Sequence, residues 1–161
     1  MVKTAVADAN TIILLSKINS LDLACNIFNK IIIPSQVAEE IFIKNTPDTI
    51  LIKEQFGKLF KEVETKSDIE IPLGKGERAA ISCCIESKIN IFLTDDERAR
   101  RFAKGLNLEV FGVVSILLWN LSNKRINKSE FIRLINLLMT NNYQITPEAY
   151  SDIMNLIHEE K

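Results

Sequence analysis

Residues 89–101 read INIFLTDDERARR. The opening INIFL is a short apolar run of β-branched and aromatic side chains, the pattern of a strand buried on both faces of a parallel sheet. It stops at two adjacent carboxylates, Asp95 and Asp96, and from Glu97 onward the pattern turns helical. In an open α/β sheet, ligands gather where strands give way to loops and helices at their carboxyl ends. This junction is therefore the candidate site, and the question is which other acids the chain brings to it.

Strand and helix patterns alternate on either side of this stretch. Residues 2–7 form an apolar strand ending at Asp8, followed by Ala9, Asn10 and Thr11 and a helix to Ile18. Ser20 is placed to cap a second helix through Phe28, and 30–33 is a β-branched strand stopped by Pro34. A helix over 35–45 carries Glu39 and Glu40. Thr46 and Pro47 break it, and 48–60 reads as another helix, softened at Gly57. Residues 62–72 are polar and irregular, a mobile loop with a short extended piece at 69–71. Gly74, Lys75 and Gly76 open a helix to about Lys88. Beyond the Asp95 helix, Gly105 is a plausible carboxyl cap and 108–111 reads as a fourth parallel strand. Three helices follow, at 112–123 with Trp119, 127–140 and 146–159, the last opened by Thr146-Pro147. The pattern gives an α/β fold with a small parallel sheet of four or five strands and helices on both faces. Right-handed crossovers then leave the strand ends after Ala7, Ile33 and Thr94 on one edge.

Composition narrows the function. A length of 161 residues and 47% hydrophobic content suit one domain, 1–161, with a real core and no internal repeat or linker. Apolar runs such as 11–15 and 113–118 are far too short to span a bilayer, and the amino terminus lacks signal-peptide order, so a cytoplasmic protein without a membrane partner is expected. Cys25, Cys83 and Cys84 show neither a disulfide framework nor zinc spacing and read as core thiols. With a net charge of −1, any nucleic-acid contact must be local. The only histidine, His158, lies near the end of the chain, which argues against a histidine general base. If the protein is an enzyme, carboxylates carry the reaction.

Each acid has a plain structural reading. Glu77 shares a helical stripe with Ala80, Ile81, Cys84 and Ile85, opposite Ser82 and Glu86, so a carboxylate sits on the inward face, although an acid in the first turn also complements the helix dipole. Asp8 suits a turn or cap, and Asp95 and Asp96 suit a cap paired with Arg98 or Arg100. Glu39 and Glu40 flank the apolar arc of Val37, Ala38, Ile41 and Phe42 equally, and periodicity does not choose between them. Together the acids say more. Several carboxylates on one edge repel and raise each other's pKa unless a cation sits among them. Oxygen ligands without His or Cys select Mg²⁺ or Mn²⁺, which support phosphoryl transfer or hydrolysis. Arg98, Arg100, Arg101 and Lys104 cluster beside these acids, either as a track for a phosphate backbone or as a solvated basic face. Gly74-Lys75-Gly76 is not a phosphate-cradling loop, because no strand leads into it and no Lys-Ser/Thr follows.

The order of five pieces, VADAN, IIIPSQVAEEI, LGKGERAAI, IFLTDDERARRFA and GVVSILL, resembles the PIN-domain nuclease family, and within it the prokaryotic branch related to VapC-type toxins. The resemblance covers about residues 2–124, and the helical addition over 127–159 resembles that branch's usual carboxyl-terminal extension. It implies a PIN-like three-layer sandwich and a Mg²⁺- or Mn²⁺-dependent ribonuclease. Asp8, Glu40, Glu77 and Asp96 would surround the ion, with Asp95 adjacent and Asn10 and Thr94 in support. It favours Glu40 over Glu39 and leaves open which of Asp95 and Asp96 is the principal ligand. RNA as substrate, an antitoxin partner and a homodimer are implied by resemblance alone.

Two other readings compete. Asp8-Ala9-Asn10-Thr11 approaches the nucleophile motif of haloacid-dehalogenase-like phosphatases, but that motif needs an acid where Asn10 stands, and no convincing downstream lysine motif follows. The other is a catalytically silent α/β binding module whose acids only cap helices.

Overall fold

The apolar stretches pair into one five-stranded parallel sheet, β1 (Thr4–Ala7), β2 (Lys30–Pro34), β3 (Phe60–Val63), β4 (Ile91–Leu93) and β5 (Glu109–Phe111), in the order β3-β2-β1-β4-β5. The structure, a computed structural model, describes residues 3–43 and 45–159. Packed around the sheet are α1 (Ala9–Lys17), α2 (Leu21–Cys25), α3 (Ser35–Phe42), α4 (Pro47–Lys53), α5 (Lys75–Ser87), α6 (Glu97–Gly105), α7 (Val113–Ser122), α8 (Lys128–Thr140) and α9 (Pro147–Glu159). Ala5, Val6, Ala7, Phe92 and Leu93 have no exposed surface, so the central strands are covered on both faces. This is why they lack the apolar–polar alternation of a half-exposed strand.

The chain moves outward from β1 through β2 to β3, then crosses to build β4 and β5 on the other side. Strand order thus reverses between β1 and β4, and the crevice outside the carboxyl ends at such a switch point is where α/β folds hold ligands. Ala7 pairs with Leu93, and the Asp8 N–H donates to the Leu93 carbonyl at 3.0 Å. The residues that follow, Asp8 and Thr94 to Asp96, are side by side by construction.

Several elements differ from the sequence reading. The helix expected over 48–60 ends at Lys53, and its last residue instead opens β3 on the sheet edge. Gly57 turns the chain there at φ +85, a conformation that only glycine adopts freely. The edge strand buries Phe60 alone and exposes Lys61 and Glu62, which hid it among polar residues. The helix expected over 35–45 stops at Phe42, with Lys44 outside the described residues, as is the expected strand start at Val2. The second helix stops at Cys25 rather than Phe28, and the Ser20 hydroxyl donates to the Ile18 carbonyl instead of capping it. Gly105 is the last residue of α6, and the left-handed turn falls at Asn107, φ +61.

The expected loop over 62–72 forms no strand at 69–71 and lies along α5. The Ile69 N–H donates to the Ser82 hydroxyl at 3.1 Å, and the Lys66 and Ser67 N–H groups donate to Glu86. Ala80, Ile81 and Cys84 are buried as expected, but Ser82 is buried as well and Ile85 is exposed. Cys83 and Cys84 are core thiols, whereas Cys25 is exposed. Phe131, Leu134, Ile135 and Leu138 of α8 and Ile153 and Ile157 of α9 join the same core. Among the described residues, no helix is long and apolar enough to cross a membrane.

Candidate active site

Asp8 leaves β1 almost completely buried, 3% exposed. It caps α1, accepting the Thr11 N–H at 3.1 Å on one oxygen, while the other accepts the Thr94 hydroxyl in a short hydrogen bond. Burial pushes its pKa from near 3.8 up to about 7; the two hydrogen bonds pull the other way, and the negative charge of Asp95 adds to the rise. Thr94 is fully buried, and its hydroxyl oxygen also accepts the Asp96 N–H at 3.2 Å, so it joins the two strand ends. Asp96 caps α6, accepting the Ala99 N–H at 2.8 Å.

The other two acids come from helices. Glu40, on α3, accepts the Gly76 N–H at 3.1 Å, and its carboxyl is held above the usual range by partial burial and by the nearby charge of Glu77. Its oxygens occupy the space that a Cβ on residue 76 would take, with Oε2 2.7 Å from that position. Glu77, in the first turn of α5, lies over Gly74 in the same way. The two glycines of LGKGE therefore make room for the two carboxylates, a role invisible in the sequence because Glu40 lies 36 residues upstream.

Asp8, Glu40, Glu77 and Asp96 line one open cleft of about 450 Å³ at the switch point. Asn10 lies on its rim. Glu39 faces elsewhere and pairs with Lys75 at 3.8 Å. Lys17, Thr46, Asp48 and Thr49 also line the cleft. Asn10, Ile13 and Lys17 follow a three-then-four spacing, so one face of α1 points into the cleft, a signal readable from the sequence but not drawn from it. Asp48 and Thr49 enter through the packing of α4 against α1, which local pattern does not reveal.

Asp95 is not among the lining residues. Its carboxylate accepts the Thr11 hydroxyl at 2.7 Å, the Val113 N–H at 3.1 Å and the Tyr143 hydroxyl at 3.0 Å. Facing these donors, it stands behind the cleft rather than among the residues that line it. The basic residues of α6 do not line the cleft either. Arg98 donates to the Pro72 carbonyl at 2.7 Å, Arg100 to the Thr94 carbonyl at 3.5 Å, and Arg101 pairs with Glu97 one turn away at 3.5 Å, while Lys104 is exposed.

The PIN-domain family model matches residues 4–159. The chain belongs to the PIN-domain family. Among solved structures, this PIN domain is similar to a PilT N-terminus domain protein from the hyperthermophilic archaeon Sulfolobus solfataricus P2, at 18% identity and a TM-score of 0.50, covering 73% of this chain and 93% of that one. At that identity the likeness speaks to fold. No curated protein is matched. The fold is thus a nuclease-type fold, with its acids gathered at the switch point.

The donors fit a divalent cation. They are hard oxygens, and the cleft holds Asp8, Glu40, Asp48, Glu77 and Asp96 against one cation, Lys17. Among the described residues, no three acids, histidines or cysteines are already gathered into a metal cage. An open cleft suits Mg²⁺, which keeps several of its waters and takes only one or two carboxylates.

Proposed function

We propose that this PIN domain is a Mg²⁺- or Mn²⁺-dependent endoribonuclease, with the ion held by Asp8, Glu40, Glu77 and Asp96. The observation that carries this reading is the convergence of four carboxylates, from β1, α3, α5 and the end of β4, on one cleft where burial raises both Asp8 and Glu40, helped by the charge of Asp95 behind Asp8 and of Glu77 beside Glu40. When bound, such an ion supplies Lewis-acid polarisation of a phosphoryl oxygen and lowers the pKa of water.

The chain's own residues supply the rest. Thr94 holds Asp8 and Asp96 in register, the Gly76 N–H orients Glu40, and Asn10 and Lys17 stand on the rim where a phosphate strand would pass. Lys17 is better placed for that contact than Arg98 or Arg101, which are engaged elsewhere. The phosphatase reading is not favoured, since Asn10 stands where its second acid is needed. The resemblance to VapC-type toxins supports RNA as substrate and a toxin role with an antitoxin partner.

The test is cleavage of single-stranded RNA by the purified chain in Mn²⁺. Glu77→Gln and chelation are each expected to abolish it, and intact cleavage by Glu77→Gln would remove that residue from the site. Growth arrest on expression, relieved by a co-expressed neighbouring reading frame, tests the toxin role.

A further inference from the structure

Three separate elements place hydrogen-bond donors on the Asp95 carboxylate: α1 through the Thr11 hydroxyl, α7 through the Val113 N–H, and the turn between α8 and α9 through the Tyr143 hydroxyl. A Cβ on Gly112 would stand 2.7 Å from Asp95 Oδ1 and 3.0 Å from Arg100 Nη2, so the glycine is what lets these side chains meet. Thr11 works in two directions, its hydroxyl bound to Asp95 and its N–H to Asp8. A continuous chain of contacts thus runs from Tyr143 through Asp95 and Thr11 to the most buried acid of the cleft.

We propose that Asp95 and Tyr143 are positioning residues for the cleft, through which the carboxyl-terminal helices fix the Asp8 carboxylate for cation binding. This rests on the reading of Asp8 as a ligand. Neither residue touches the ion or substrate. Tyr143 is half-buried, and burial together with the Asp95 charge holds its phenol well above the usual range, so it stays protonated as a donor. The α8–α9 connection is then part of the site's support, and outer-shell partners of this kind typically cost about 10–100-fold in metal affinity when removed.

The test compares Tyr143→Phe and Asp95→Asn with Asn127→Ala. The last removes the α8 cap, in which the Asn127 side chain accepts the Glu130 N–H at 2.8 Å, and so lowers stability without touching this chain of contacts. Two readouts are taken on the full chain: hydrogen exchange of the Thr11 amide in metal-free protein, and Mn²⁺ affinity by calorimetric titration. Tyr143→Phe and Asp95→Asn are expected to speed Thr11 exchange relative to the core amide of Ile135 and to raise the Mn²⁺ Kd by about tenfold or more. Asn127→Ala should do neither. Tyr143→Phe keeps the carboxylate and tests the claim even if Asp95→Asn fails to fold. Thr11 exchange and Kd that follow only the global stability loss, as in Asn127→Ala, would overturn the proposal. So would faster Thr11 exchange at unchanged Kd. A wild-type chain without Mn²⁺ affinity would instead defeat the nuclease reading, and the Thr11 amide would still decide whether Tyr143 and Asp95 hold Asp8.

Discussion

Asp95 and Asp96 are neighbours of the same chemical type at the end of the same strand, yet they serve opposite regions. Behind the cleft, Asp95 accepts hydrogen bonds from three elements. On the cleft side, Asp8 accepts two hydrogen bonds and Asp96 and Glu40 one backbone N–H each, and the cations near them are Lys17 in the cleft lining and Lys75, whose charge reaches Glu40. A carboxylate saturated with donors is stabilised where it stands and has little to offer a ligand. Carboxylates crowded together without enough donors carry a standing cost that a cation removes. Convergence of several acids on one cleft, each with fewer donors than Asp95, marks the candidate site.

The largest expected effect lies in the cleft. Asp8→Asn, Glu77→Gln and Asp96→Asn should each lower RNA cleavage by more than about 100-fold, since even outer-shell partners of a metal cost 10–100-fold. Single-turnover rates in Mn²⁺ check this. A variant that kept its rate would move that acid to the Asp95 class.

Asp8 also sets a pH dependence of stability. Its folded pKa, about 7, lies above its ordinary value near 3.8, so the folded state binds the proton more tightly than the unfolded chain. The stabilisation is complete below about pH 4, is lost as pH rises through about 7, and amounts to at most on the order of 4 kcal/mol. In metal-free protein, Asp8→Asn should flatten this slope and be more stable than wild type at pH 8, because asparagine still caps α1. Mn²⁺ affinity should rise with pH through the same range as the proton leaves. Urea denaturation in EDTA at pH 5 and pH 8 decides it, and parallel curves for the two proteins would contradict the burial argument.

The two regions should separate most clearly in paired asparagine variants. Asp95→Asn leaves donors on α1, α7 and Tyr143 poorly matched and should lower stability by about 1–3 kcal/mol. Asp96→Asn keeps a good helix cap and should be near neutral in EDTA. Equal losses in thermal melts would erase the distinction. A smaller effect belongs to Gly76→Ala. Alanine in a helix ordinarily stabilises by about 0.4–1 kcal/mol over glycine, but here its Cβ would displace the Glu40 carboxylate, so stability should change little while Mn²⁺ affinity drops. Smallest of all, Arg101→Gln loses an exposed pair with Glu97, about 0–1 kcal/mol, and should leave the salt dependence of RNA binding unchanged.

Much of this was legible before the structure. The buried strand pattern of INIFL, the β-branched run at 30–33 and the breaks at Pro34 and Pro47 place β4, β2 and the helices around them, because buried strands and helix starts leave local marks. β3 left none. It is an edge strand with a single buried residue, and its existence depends on pairing with β2, a partner 29 residues away. The site divides in the same way. Asp8, Asp95 and Asp96 were marked by strand ends, and the resemblance to PIN domains supplied Glu40 over Glu39. Which aspartate faces the cleft could not be read, because it depends on Val113 and Tyr143, which approach from 18 and 48 residues downstream. The stripe of α5 follows the pattern at Ala80, Ile81 and Cys84 and departs from it at Ser82 and Ile85 for a like reason, since Ser82 is covered by the segment at Ile69, 13 residues upstream.

The most direct test of the central claim is the melting temperature of wild type and Asp96→Asn in EDTA and in millimolar Mn²⁺ at pH 7.5. Ligand that binds only the folded state at about 100 times its Kd adds roughly 2.7 kcal/mol, about 5–10 °C for a domain of this size. A rise of that order in wild type, much reduced in Asp96→Asn, is the predicted result. Identical melting of wild type with and without Mn²⁺ would contradict a cation site in this cleft.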